Sequence, residues 1–154
     1  MKTKFKSIIF LVFICLLFLF SRIYNLESLP VFGDEAIYIR WAQIIKSVDS
    51  LRFIPQTDGK QPLFMWLCIP LLKLFSNPLF ASRFVSVLAG FGIIFALYLI
   101  LTLIKNRKTA LIACLIYILL PYTFFFDRMA LADNLLSMFG LWSFYFTLLL
   151  AKKP

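Results

Sequence analysis

The stretch that decides the fold runs from residue 84 to residue 126: FVSVLAGFGIIFALYLILTLI (84–104), KNRK (105–108) and TALIACLIYILLPYTFFF (109–126). The two outer blocks are apolar, and each approaches the roughly 20 residues that a helix needs to cross a bilayer. The basic turn between them is so short that the two helices must lie antiparallel. The sequence therefore predicts a membrane-spanning helical hairpin.

Composition extends this prediction to the whole chain. The 154 residues suit one domain, and they are 62% hydrophobic and 15% charged, which leaves too little polar surface for a water-soluble protein. The net charge of +9 reports topology and contact with anionic headgroups, so no nucleic-acid partner is expected. Histidine is absent, and Cys15, Cys68 and Cys114 lack CxxC spacing, so neither zinc nor a disulfide framework is indicated.

Two further apolar blocks, about 7–24 and about 131–150, complete the predicted topology. The first, about 7–24, follows a lysine-rich start. A signal peptide is its alternative, but no A-x-A-like cleavage site follows, which favours a retained anchor. We expect an all-α integral membrane protein of the plasma (inner) membrane with both termini cytoplasmic. Its four predicted transmembrane helices are about 7–24, 84–104, 109–126 and 131–150.

Charge supports four spans over five. With four, one side of the membrane carries eight basic residues and no acid, and the other carries eight basic residues and all seven acids. The short basic turns then lie inside, as the positive-inside tendency requires. The run 62–75 is short and contains Pro70 and Lys73, so we expect an interfacial helix there instead of a fifth span.

Residues 25–83 then form one long extracytoplasmic loop, and long ordered loops tend to carry function. Apolar residues recur in it at helical spacing and predict an amphipathic helix over about 34–48 on the outer surface. The apolar positions of that helix are Ile37, Trp41, Ile44, Ile45 and Val48.

Polar side chains in this loop and beyond it have more than one interpretation each. Asp34 and Glu35 open the amphipathic helix, as an N-cap and a dipole partner or as a general base and cation ligand. Lys60, in the turn TDGKQP, is either a solvated lysine or a cation that holds a lipid phosphate. Asp133, at the start of the last span, is either an N-cap or a functional acid near membrane depth. Arg128 binds a headgroup, pairs with an acid, or does both.

Four motifs occur in a recognisable order: VFGDEAIYIRWAQ, DGKQPLFMWL, ASRFVSVLAG and DRMALADNLLSMFG. In order and spacing the chain resembles the N-terminal part of the polyprenyl-phosphate-dependent membrane glycosyltransferases of the GT-C fold. These include protein O-mannosyltransferases, bacterial aminoarabinose transferases and lipopolysaccharide galacturonosyltransferases. Such enzymes have more spans and usually a C-terminal soluble region. The resemblance therefore implies a truncated GT-C-like module, with a missing C-terminal part of the same enzyme as a partner.

The resemblance also assigns roles to residues. Asp34 and Glu35 match the family's acidic pair in the first outer loop, and Asp133 matches its second acid. Lys60 lies in a turn similar to the family's Lys-Pro-Pro-Leu, with Gln61 replacing the first proline. The implied catalytic residues are Asp34, as general base, Glu35 and Asp133. The implied donor phosphate-binding residues are Lys60, Arg83 and Arg128.

The implied activity is transfer of a hexose or pentose from a polyprenyl-phosphate sugar lipid to an extracytoplasmic acceptor. That acceptor would be a cell-envelope glycan, a lipid or a protein. The resemblance leaves the cofactor open between none and a divalent cation, since the family includes members of both kinds, and such a cation would be hard and oxygen-ligated because histidine is absent. The alternatives are a non-catalytic membrane subunit that binds lipid or a partner protein, and a transporter fragment. The latter is disfavoured because no acid lies at the midplane.

Overall fold

A computed structural model describes residues 2–152, with side chains from residue 9 onward. Regular structure in this part of the chain is entirely helical. The helices are α1 (Lys2–Ile23), α2 (Gly33–Ser47), α3 (Leu63–Leu74), α4 (Pro78–Ile104), α5 (Arg107–Leu119), α6 (Pro121–Phe126) and α7 (Asp133–Ala151), with short 3₁₀ turns at Asp49–Leu51 and Ile54–Asp58.

Asparagine caps set the starts of the two hairpin helices. The Asn77 side-chain oxygen accepts a hydrogen bond from the Leu79 N–H at 2.9 Å, and Pro78 occupies the first turn of α4, where its missing N–H costs nothing. In α5 the Asn106 oxygen accepts from the Thr109 N–H at 2.9 Å. The hairpin predicted from the basic turn is therefore two separately capped helices.

Helix α4 is the centre of the fold, and α1, α3, α5 and α7 all pack against it. By length and composition α4 and α7 can each cross a membrane, whereas Ile9–Ile23 of α1 and the whole of α3 are shorter apolar helices. With 27 residues, α4 is about 40 Å long, which matches a bilayer with its headgroup layers.

The helix expected over residues 109–126 is broken. Leu120 has an extended backbone (φ −66°, ψ 125°), and α6 begins at Pro121. Proline lacks an N–H and disfavours a helical conformation at the preceding residue, so the apolar run bends there although its hydrophobicity is continuous. The expected third span is thus the 13-residue α5 followed by the short α6.

Helix α2 lies where the amphipathic helix was expected, but the face that it buries only partly matches the predicted one: Ile45 is buried and Trp41 is half-buried against the core. Ile37 and Val48, which belong to the predicted apolar face, are exposed. A charged residue, Glu35, is fully buried instead, because its ion partner lies beneath α2 in α4. The buried positions of α2 are Glu35, Tyr38, Ala42 and Ile45.

The helices arrange the charges at two ends of the bundle. The Lys152 ammonium donates to the Leu103 carbonyl at 2.6 Å, so the end of α7 lies beside the basic turn 105–108. At the opposite end, Arg22 at the end of α1 contacts Asp127, which follows α6. The acids of α2 and α7 lie at this second end, which we call the acidic end.

Candidate functional site

A buried ion pair joins α2 to α4 at the acidic end. Arg83 approaches Glu35 with two nitrogens, Nε at 2.7 Å from Oε1 and Nη2 at 2.8 Å from Oε2. Both side chains are fully buried. A buried pair persists only with such two-point geometry and with partners for its remaining polar atoms, because both charges have lost their hydration.

Backbone groups supply those remaining partners. Glu35 also accepts from the N–H groups of Ala130 at 2.8 Å and Phe32 at 3.2 Å. The pair thereby ties the start of α2 and the segment before α7 to α4. Arg83 donates further to the carbonyls of Leu26 (2.8 Å), Leu29 (3.0 Å) and Pro30 (3.2 Å).

Asp34 has the opposite environment from its neighbour Glu35. It is exposed in the first turn of α2, while the cap position is Phe32, with no side-chain capping bond. Among the residues with described side chains, Asp34 belongs to neither ion pair and accepts no hydrogen bond. The capping interpretation is therefore wrong, and the carboxylate is available to an incoming group.

Asp133 is also exposed, as the first residue of α7. The preceding Ala132 has helical dihedrals and there is no side-chain cap, so Asp133 contributes to this helix start through the dipole alone. Asp133 follows Ala130 by three residues, which limits their Cα separation to about 11 Å. The hydrogen bond between Glu35 and Ala130 therefore connects the segment of Asp34 to the segment of Asp133.

Lys60 lies against the first turns of α2. Gly59 adopts a left-handed conformation (φ 68°) that ends the 3₁₀ turn and directs the chain back toward α2. The Lys60 ammonium then lies 6.0 Å from the centre of the Tyr38 ring, and Tyr38 is one helical turn after Asp34. This half-buried lysine is a cation on the same part of α2 as the exposed carboxylate.

Arg128 differs from Arg83 in having no acidic partner in the described part of the chain. It donates to the Asn25 carbonyl and to the Ser28 hydroxyl at 3.3 Å, and its Nε is buried without a partner there. Burial, followed by the charges of Arg83 and Arg22, lowers the pKa of Arg128. The predicted phosphate-binding residues thus occupy three different environments.

A second buried network was missed from the sequence. The Arg22 Nε lies 3.0 Å from Asp127 Oδ2, and the other Asp127 oxygen accepts from the Tyr117 hydroxyl at 2.8 Å and from Asn134 at 2.7 Å. Burial raises the pKa of Asp127, and the hydrogen bonds from Tyr117, Arg22 and Asn134 oppose that shift. The available signal was a pair of opposite charges. Arg22 lies at the end of the first apolar run, Asp127 follows the run 109–126, and the predicted topology places both of these ends on the same side of the membrane.

Gly90 makes room for this second network. A Cβ added there would stand 2.6 Å from Asp127 Oδ1 and 2.9 Å from the Phe18 ring, closer than real contacts allow. Beside it, the Phe124 ring contacts two guanidinium groups, those of Arg22 at 4.8 Å and Arg128 at 4.9 Å. The network is therefore closely packed against α1 and α4.

An open apolar groove of about 310 Å³ lies between α3, α4 and α7. Leu135, which follows Asp133 by two residues in α7, is part of the groove wall, so the groove begins close to the acidic end. Within residues 9–152 no group of three or more His, Cys, Asp or Glu side chains could hold a metal ion. Other residues of the groove wall are Leu67, Leu71, Val85, Leu88 and Met138.

The family model of the dolichyl-phosphate-mannose-protein mannosyltransferases matches residues 59–154, more than half of the chain. The chain belongs to this mannosyltransferase family. Membership confirms the resemblance to glycosyltransferases of the GT-C type and, together with the apolar helices, indicates a membrane protein. No curated protein and no solved structure gives a significant match.

The match to the mannosyltransferase family covers only part of the candidate site. Lys60, Arg83, Arg128 and Asp133 lie within the matched residues, whereas the Asp34–Glu35 pair precedes them. The contacts of Glu35 nevertheless connect that pair to the matched part, through Arg83 and Ala130. The roles of the individual residues stay predictions.

Proposed function

We propose that the chain transfers a sugar from a polyprenyl-phosphate-linked donor to an extracytoplasmic acceptor such as a cell-envelope glycan, a lipid or a protein. The observation that carries this proposal is the contrast between two adjacent acids. Glu35 is buried and bonded on both oxygens, while Asp34 is exposed without a partner among the described side chains. Glu35 holds α2 in place, and Asp34 remains available to take part in the reaction.

The proposed membrane placement follows from the two ends of the bundle. Helices α1, α4, α5 with α6, and α7 make four crossings of the plasma (inner) membrane. The basic end, with the turn 105–108 and Lys152, lies in the cytoplasm together with both termini, as the positive-inside tendency favours. The acidic end, with Asp34 and Asp133, then faces the extracytoplasmic side, where the acceptor arrives.

Asp34 acts as the general base in this proposal. It takes the proton of an acceptor hydroxyl while the hydroxyl oxygen forms a bond to the anomeric carbon of the sugar. The bond from that carbon to the phosphate oxygen breaks, and its electron pair leaves with the phosphate. The base must lie on the face of the sugar opposite the phosphate, so the reaction inverts the anomeric centre.

The departing phosphate gains negative charge, and a fixed cation lowers the barrier for that step. Lys60 supplies this cation, because it is partly exposed and its ammonium lies near Tyr38, on the part of α2 that carries Asp34. Arg128, whose Nε has no partner within the described residues, is the second contact. Asp133 binds sugar hydroxyls.

Glu35 and Arg83 are positioning residues in this scheme. The nitrogens of Arg83 are occupied by Glu35 and by three backbone carbonyls, which leaves it unsuited to a phosphate. The pair instead fixes the direction of α2, and hence of Asp34, relative to α4. This assignment replaces the catalytic role predicted for Glu35 and the phosphate-binding role predicted for Arg83.

The apolar groove between α3, α4 and α7 binds the first isoprene units of the donor. It is walled by hydrocarbon side chains and by Met138, whose unbranched thioether adapts to irregular shapes. Its position two residues beyond Asp133 allows the lipid to lie in the groove while its phosphate stays at the acidic end.

The test measures binding and transfer separately, with the full chain in membranes. A photoreactive polyprenyl phosphate reports donor binding, and a polyprenyl-phosphate-linked radioactive sugar reports transfer. We expect Asp34→Asn to keep labelling and to lose transfer by about 10²–10⁴-fold, the usual contribution of a general base. Lys60→Ala should weaken labelling, and Asp58→Asn, an exposed acid of the same loop, is the matched control.

Each alternative result has a definite meaning. Transfer by Asp34→Asn at the parental rate would show that Asp34 is not the base. Labelling of the parental chain without any transfer would favour a non-catalytic lipid-binding subunit, and absence of both would overturn the proposal.

A further inference from the structure

Two clefts meet near the end of α2, whereas Asp34 lies at its start. The larger, about 520 Å³, lies between the second half of α2 and the end of α3, and the smaller, about 320 Å³, lies beside the turn that follows α2. Lys46 lines both of them. We call this surface the basic edge, after its four cations Arg40, Lys46, Arg52 and Lys73.

The basic edge has a strong excess of positive charge. Arg40 and Lys46 line the larger cleft with no acidic residue among its described walls, and Lys46, Arg52 and Lys73 line the smaller one with a single acid, Asp49. Four cations against one acid create a positive potential that attracts an anion.

Backbone contacts hold two of these cations in place. The Lys46 ammonium donates to the Leu72 carbonyl at 2.7 Å, which leaves its other hydrogens for a ligand. The Arg52 Nε donates to the Asp49 carbonyl at 3.1 Å, and the Trp66 indole N–H donates to the Arg52 carbonyl at 2.8 Å. Neither cation is neutralised by a carboxylate in an ion pair within the described side chains.

Exposed apolar residues surround the basic edge. Leu74, at the end of α3, is 74% exposed, and Phe53, beside Arg52, is 50% exposed. Cations interspersed with exposed apolar side chains are typical of surfaces that lie in the membrane interface, where the apolar groups enter the acyl boundary and the cations meet headgroups.

The length of α4 indicates where the larger cleft lies relative to the membrane surface. Pro78 lines this cleft and opens α4, whose length of about 40 Å exceeds the roughly 30 Å of bilayer hydrocarbon. With α4 crossing the membrane, its first turns lie in the headgroup layer. The larger cleft therefore opens at the level of phospholipid phosphates.

The geometry points to an anionic phospholipid as the occupant of the basic edge, with its phosphate between Arg40 and Lys46. Guanidinium and ammonium groups both bind phosphate oxygens through charge-assisted hydrogen bonds. The bound lipid fixes the α2–α3 pair on the bilayer, at a site separate from Asp34 and Lys60. This inference rests on the membrane placement proposed above and not on sugar transfer.

The test uses the full chain in phosphatidylcholine vesicles with a trace of spin-labelled phosphatidylglycerol or spin-labelled phosphatidylcholine. Electron spin resonance gives the motionally restricted fraction of each probe and hence the preference for the anionic lipid. In Arg40→Gln/Lys46→Gln we expect this preference to fall roughly fivefold per charge removed, the usual contribution of a cation near an anionic surface.

Replacing an acid of the basic edge by its amide should change the preference for the anionic lipid in the opposite direction. Asp49→Asn removes the acid of the smaller cleft and should strengthen the preference, which a folding defect cannot imitate. Asp58→Asn makes the same charge change outside the basic edge and should leave the preference at the parental value.

An unchanged preference in Arg40→Gln/Lys46→Gln, or equal effects of Asp49→Asn and Asp58→Asn, would overturn the inference. Displacement of the lipid by glycerol phosphate at equal concentration would also overturn it, since the site would then bind any phosphate. If the chain neither binds nor uses the polyprenyl donor but still prefers phosphatidylglycerol, the proposed function fails and this inference stands.

Discussion

The Glu35–Arg83 and Arg22–Asp127 pairs are both fully buried at the acidic end, yet their surroundings differ. Backbone groups complete the first pair: two N–H groups bind Glu35 and three carbonyls bind Arg83. The second is completed mainly by side chains, with hydrogen bonds from Tyr117 and Asn134 to Asp127. The difference shows two uses of buried charge, since the first pair fixes the path of loops and the second fixes the packing of helices.

The completeness of the two pairs also differs. The polar atoms of the Glu35–Arg83 pair all have partners, whereas Arg22 Nη2 is buried without one among the described residues and lies near aromatic rings. The Glu35–Arg83 pair is thus the better satisfied of the two.

Removing one arginine from each pair should give the largest effects. Arg83→Met leaves Glu35 buried without its countercharge and orphans three carbonyls, so we expect a loss near the top of the 3–5 kcal/mol range for broken buried pairs. The stability loss for Arg22→Met should lie near the bottom of the same range, because fewer backbone groups lose partners. Denaturant titration in detergent micelles measures both, and a larger loss for Arg22→Met would reverse the comparison.

Gly90→Ala tests the second pair alone. Its Cβ would meet Asp127 Oδ1 at 2.6 Å and the Phe18 ring at 2.9 Å, so we expect a loss of about 1–3 kcal/mol from overpacking. Gly92→Ala meets the flexible Met138 side chain and should cost less, and Gly140→Ala meets nothing within 4 Å and serves as the control. Thermal unfolding midpoints in the order Gly140→Ala, Gly92→Ala, Gly90→Ala are expected, from highest to lowest. Equal midpoints would mean that the second network is loosely packed.

Asn77→Ala tests the helix that carries Arg83. It removes the cap that accepts from the Leu79 N–H and should cost about 1 kcal/mol. Asp133→Ala, at a helix start without a side-chain cap, should cost less. Unfolding free energies of the two variants check this difference. Equal losses would give Asp133 a structural role that its contacts do not show.

Asp34→Asn should have the smallest effect on stability, within about 0.5 kcal/mol, because its side chain is exposed and unpaired among the described residues. The adjacent Glu35→Gln should cost about 1.5–3 kcal/mol, since Arg83 would lose its charged acceptor. Unfolding free energies of the two variants give the contrast between neighbouring acids. A similar loss in both would remove the distinction on which the proposed site is based.

The sequence revealed those features that depend on neighbouring residues. The basic turn between apolar blocks predicts the α4–α5 hairpin, and the apolar periodicity predicts a helix near α2. The break at Leu120 was missed, although Pro121 was visible, because hydrophobicity continues through it. Local pattern could not separate Asp34 from Glu35, since both occupy the first turn of one helix.

Features that depend on distant residues were not predicted, although the opposite charges of Arg22 and Asp127 gave a weak signal for one of them. Glu35 is buried because Arg83, 48 positions later, lies beneath it. Asp127 and Arg22 are 105 positions apart, and Gly90 makes room for them on a third helix. Spacing within a segment carries no information on such partners. Asp133, which the sequence offered as an N-cap or as a functional acid near membrane depth, is exposed, whereas Asp127 is buried.

The separation of the ion partners also orders events during biosynthesis. When α1 leaves the ribosome, Asp127 has yet to be made, so the Arg22 guanidinium stays without this partner until α2 to α6 have been synthesised. Glu35 and Arg83 meet once the nascent chain includes α4, but their last partner, the Ala130 N–H, arrives after α6. Translation thus completes the contacts of Glu35 late, after most of the helices have been synthesised.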